Sequence, residues 1–113
     1  MDWLEKILEK DGRYAGEAYV FVLSAITYTK EKLERDGHIS ARELLEGIRE
    51  LGIKWYGRMT RFVFESWGVK STEDFGEIVY NLIDAGLAAK SPADSKEDFR
   101  NIYSFDEAFG GME

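Results

Sequence analysis

The chain has 113 residues, a formal net charge of −7, 44% hydrophobic and 33% charged side chains, and no cysteine. Those values predict one globular domain over residues 1–113 and exclude disulfides, thiolate nucleophiles, iron–sulfur clusters and cysteine-ligated zinc. No apolar run approaches the ~20 residues of a membrane span. The start Met1–Lys6 lacks a basic and then apolar leader, so a cytoplasmic protein is expected.

Glutamine is absent and asparagine occurs only at 81 and 101, while Lys, Arg, Glu and Asp abound, a bias shared with heat-adapted proteins. The charge is segregated. Residues 1–50 carry net −3, residues 51–70 net +3 through Lys54, Arg58, Arg61 and Lys70 against Glu65, and residues 71–113 net −7.

Trp3, Leu4, Ile7 and Leu8 lie at helical spacing, with Asp2 as an N-cap and Gly12 as a stop. The sequence leaves open whether this first helix packs within its own chain or across chains. Tyr14, Ala15, Ala18, Tyr19, Val22, Ala25, Ile26 and Leu33 advance by threes and fours, predicting a long helix from Tyr14 to about Arg35 that Asp36-Gly37 ends.

Ser40-Ala41-Arg42-Glu43 matches a capping box, so a third helix starts there, with Leu44, Leu45, Ile48, Leu51 and Trp55 inward. Gly57 breaks or redirects it. Met59, Phe62, Val63 and Trp67 predict a further short helix before Gly68. Ser71-Thr72-Glu73-Asp74 opens another, with the apolar stripe Phe75, Ile78, Val79, Leu82 and Ile83 ending at Gly86.

Beyond Gly86, residues 87–90 and 102–105 read as extended pieces around the turn Ser91–Ser95, together one small hairpin. Residues 106–113 read as a partly flexible tail in which Phe109 docks. The expected fold is therefore mainly α (α+β): about five helices and a C-terminal β-hairpin, in a winged-helix-like order.

The segments Ser40–Arg49, Trp67–Val79 and Asp94–Phe99, with Tyr103, Phe105 and Phe109, resemble the Minf-type family of short bacterial proteins of unknown function. The resemblance spans nearly the whole chain. It implies no activity, cofactor or catalytic residue.

Catalytic signals are weak. His38 is the single histidine and sits beside Gly37, while Ser40, the nearest serine, is better used as a cap, so no Ser-His-Asp triad is expected. The acidic pairs Glu73/Glu77, Glu43/Glu46 and Asp94/Asp98 match no calcium loop, and no second histidine completes a carboxylate metal site. No glycine-rich phosphate loop occurs. No cofactor or metal is expected, and the chain reads as a non-enzyme.

Two surfaces stand out. Lys54, Arg58 and Arg61 recur at i, i+4 and i+7 and interleave with Trp55, Tyr56, Phe64 and Trp67, which suits a protein interface or stacking on single-stranded RNA if helix persists past Gly57. The outward side of the helix from Ser71 carries Glu73, Asp74, Glu77, Tyr80, Asn81 and Asp84, and four acids there oppose phosphate binding. The preferred reading is a protein-interaction module offering this acidic helix and an aromatic tail to a basic partner or to a second copy. The alternative is an accessory winged-helix domain that contacts RNA or DNA through residues 54–70.

Overall fold

A computed structural model of the chain describes residues 2–89 and 95–110. Among the described residues six α-helices follow one another: α1 (Asp2–Lys10), α2 (Gly16–Lys32), α3 (Ala41–Tyr56), α4 (Thr60–Ser66), α5 (Thr72–Asp84) and α6 (Phe105–Phe109). Short 3-10 turns cover Gly57–Met59, between α3 and α4, and Lys96–Phe99, before α6. None of the described helices is long and apolar enough to cross a membrane.

Local hydrogen bonding sets the helix ends. At α3 the Glu43 amide donates to Ser40 Oγ at 3.1 Å while the Ser40 amide donates to Glu43 Oε1 at 2.8 Å, the predicted capping box. α4 ends as the Gly68 and Val69 amides turn back to the Glu65 and Phe64 carbonyls, and α5 ends in the same way at Gly86 and Leu87. Gly68 is required twice over: its φ is +91°, and a Cβ there would run into the Arg13 carbonyl oxygen. Close by, the Ala15 amide donates to the Trp67 carbonyl at 3.0 Å, tying the α1–α2 loop to the α4–α5 loop.

α2 and α3 pack so closely at Gly47 that a Cβ would overlap the Thr29 hydroxyl, which itself donates to the Ala25 carbonyl at 2.7 Å. The core is aromatic at its centre. Phe64 is fully buried, with ring centroids of Phe21, Trp67, Phe75 and Phe109 between 5.2 and 5.6 Å away. α1 folds back onto its own chain: Ile7 is buried, and Leu4 lies against Gly16. The predicted Asp2 cap falls on a side chain outside the described ones.

The C-terminal β-hairpin and the winged-helix-like order are corrected. Among the described residues there is no strand. Leu87, expected to begin a wing strand, instead closes α5 by donating to the Leu82 carbonyl at 2.9 Å. On the returning side, the Ser95 amide donates to Asp98 Oδ2 at 3.0 Å and opens the 3-10 turn, while Ser104 Oγ accepts the Glu107 amide at 3.1 Å and opens α6. Phe99 seats against Gly76 of α5, and the Tyr103 hydroxyl donates to the Leu45 carbonyl at 2.8 Å, so residues 96–104 are held by the helices and not by strand pairing. The predicted turn at residues 91–94 and the last residues, 111–113, lie outside the described ones.

Candidate interaction surface

The outward side of α5 is mostly occupied by its own chain. Asp74, expected at the solvent, accepts the Tyr14 hydroxyl at 2.6 Å and the Lys70 amide at 2.8 Å, while the Ser71 hydroxyl makes no capping bond. Glu77 accepts Lys96 Nζ at 2.7 Å and stands 3.6 Å from Arg13. Asn81 donates to Asp11 Oδ2 at 2.9 Å and to the Tyr19 hydroxyl at 3.0 Å. Tyr80 is half-buried beneath the Lys96 ammonium, 5.9 Å from its ring centre, and Glu73 is half-buried beside Thr72. Asp84 alone of the four acids and two polar residues named there is fully at the surface.

These contacts shift protonation. The Arg13 guanidinium, donating to Asp11 from Nε at 2.9 Å and from Nη2 at 2.7 Å, holds that carboxyl far below the usual carboxylate range, with the Asn81 amide assisting against burial. Burial pushes the Tyr14 hydroxyl up, and its bond to Asp74 adds to the effect. Burial also raises Tyr19. The seam where α5 meets the 11–14 loop is a satisfied, neutral-to-ionic network that holds the fold together.

The basic aromatic stretch is divided. α3 stops at Tyr56 and Gly57 turns with φ +55°, so the predicted continuous face of Lys54, Arg58 and Arg61 does not form. Lys54 leans over Tyr28, 5.9 Å from the ring centre. Arg61 binds Glu65 at 3.1 Å and Asp106 at 2.5 Å, which pushes its already high pKa further up. Arg58 is exposed and makes no ion pair among the described residues. Phe64 and Trp67 are core, while Trp55 is 51% exposed and rests edge-on against Phe21 at 5.7 Å.

Met59 and Phe62, two of the apolar residues whose spacing predicts this helix, point out with 52% and 65% exposure. Thr60 takes the inner position instead. It is fully buried, and its hydroxyl donates to the Gly57 carbonyl at 2.6 Å and lies 3.0 Å from the Gly52 carbonyl. The buried face of α4 is thus Thr60, Phe64 and Trp67 at i, i+4 and i+7, and a threonine at its head hid it from a count of apolar residues. The opposite face, Arg61, Phe62 and Glu65, lines one shallow depression together with Arg58 and Met59 of the 3-10 turn.

Two further concavities flank the helices. One of about 560 Å³ lies between α2, α3 and α5, lined by Leu23, Ile26, Leu44, Val79, Tyr80 and Phe99, with exposed His38 at its rim. Another of about 1170 Å³ opens between α1 and the end of α5, where Arg13 and Asn81 are already engaged by Asp11. Among the described residues no group of three His, Asp or Glu side chains is placed to share a metal ion. The aromatic tail is not offered outward: Phe105 and Phe109 are buried against Phe64.

Comparison with family models, with curated proteins and with solved structures finds no match.

Proposed function

We propose that the chain is a non-enzymatic protein-interaction module whose contact surface is the elbow between α3 and α4. The observation that carries this reading is the exposure of Trp55, Met59 and Phe62, three of the six exposed large hydrophobics among the described residues, within eight positions. Covering the exposed half of one such side chain releases on the order of 1 kcal/mol, a term left unused by the isolated chain. Arg58 and Lys54 border these groups, and aromatic residues, Met and Arg are the types enriched at interface centres.

The acids of α5 support the same reading by their engagement, because Asp74 and Glu77 serve the fold. A nucleic-acid role is less favoured. Arg61 is neutralised by two carboxylates of its own chain, and Lys54, Arg58 and Lys70 are too few to drive phosphate binding by counterion release. The likeness to the Minf-type family, itself a proposal, adds no activity.

Quantitative affinity capture with the full chain as bait tests the reading. Proteins retained by the wild type should be lost from Phe62→Asp, whose unfolding transition should be unchanged. Identical retained sets would end the proposal.

A further inference from the structure

We infer that the occupant of the Arg58–Glu65 strip is a second copy of this chain, packed antiparallel across a two-fold axis beside Phe62. This rests on the elbow being the interaction surface, and it names the partner.

Arg61, Phe62 and Glu65 of α4 line a single depression together with Arg58 and Met59 of the preceding 3-10 turn. The strip therefore runs from that turn onto one face of α4. Its charge has a direction: Arg58, with no ion pair among the described residues, stands at the start, and Glu65, bound to Arg61 through Oε2, stands at the end. Phe62, the most exposed of the large hydrophobics among the described residues, lies between them.

A two-fold axis reverses the second copy, so each strip's start faces the other's end. Arg58 then meets Glu65 of the second copy, and the symmetry makes that pair twice. Phe62 meets Phe62 at the axis, flanked by Met59 from each copy. Arg61, the residue nearest the axis that could repel its counterpart, already carries Glu65 and Asp106 of its own chain. A parallel arrangement would instead set Arg58 against Arg58. The antiparallel strip is complementary to itself in both shape of charge and apolar content, which a generic basic or acidic partner does not require.

Light scattering and sedimentation equilibrium on the full chain, up to ~500 µM, where small interfaces populate, provide the test. The mass should rise from 13.0 kDa towards twice that value with concentration. Phe62→Asp should stay monomeric with an unchanged circular dichroism spectrum. Arg58→Glu alone and Glu65→Arg alone should each weaken association by about tenfold, since symmetry counts each like-charge pair twice. An equimolar mixture of those two variants restores both ion pairs, so it should associate within about threefold of the wild type. A wild-type chain monomeric throughout, or a mixture that associates no better than either variant, would overturn the second copy. If that monomer still loses its captured proteins on Phe62→Asp, the interaction surface stands with another occupant; if capture is also unchanged, both ideas fall.

Discussion

The outer faces of α4 and α5 invert what their residues suggest. α5 displays a row of acids and polar groups, yet Asp74, Glu77 and Asn81 are bound by Tyr14, Lys96, Asp11 and Tyr19 of neighbouring segments. α4 follows a basic stretch, yet exposed Met59 and Phe62 stand beside Arg58, a cation with no ion pair among the described residues. Polar side chains on a helix are available to a partner only if no loop of the same chain lies over them. Apolar ones are available when a rival face of the helix holds the core better.

The largest expected effect tests that rivalry within α4. Phe64→Ala empties the centre of the aromatic cluster and should lower unfolding free energy by about 3–5 kcal/mol, whereas Phe62→Ala should change it by less than about 0.5 kcal/mol. Denaturant titration of both variants decides it, and comparable losses would reverse the assignment of faces.

The α5 seam should respond more gently. Tyr14→Phe removes the 2.6 Å bond to Asp74 and should cost about 1–2 kcal/mol in the same titration. No loss would mean that Asp74 is as well served by water and that the face is open after all.

The smallest effect is a pH dependence. Because Arg13 depresses the Asp11 pKa, the ion pair stabilises the fold above the ordinary carboxylate value of about 4, and this contribution is lost as pH falls towards the lower value of the folded state. Asp11→Asn should be less stable than wild type by about 1 kcal/mol near neutrality, and the gap should narrow as pH falls from about 4 to about 2. Arg13 is largely exposed, which keeps the magnitude low. A gap constant with pH would mean that the charge of Asp11 does not stabilise the fold.

Several of these features were legible along the chain. Ser40 and Glu43 announce α3, and Gly68 and Gly86 sit where α4 and α5 end. The signature that marks α3 recurs as Ser95 with Asp98 and Ser104 with Glu107, and it announces the 3-10 turn and α6. The β-prone run Ile102-Tyr103-Ser104-Phe105 suggested a strand in its place. Tyr103 and Phe105 are instead anchors, one on the Leu45 carbonyl and one against Phe64, and such contacts 58 and about 40 positions away leave no local pattern.

The division between what was readable and what was not follows the range of the forces. Helical character, helix starts and helix stops arise from hydrogen bonds and backbone preferences spanning three to five residues, so the sequence alone determined them. Which face of α4 turns inward, which acids of α5 meet Tyr14 and Lys96, and whether Phe109 is tail or core were decided by competition among distant segments for one interior. That competition left Arg58, Met59 and Phe62 outside, a result visible only once the core had been filled.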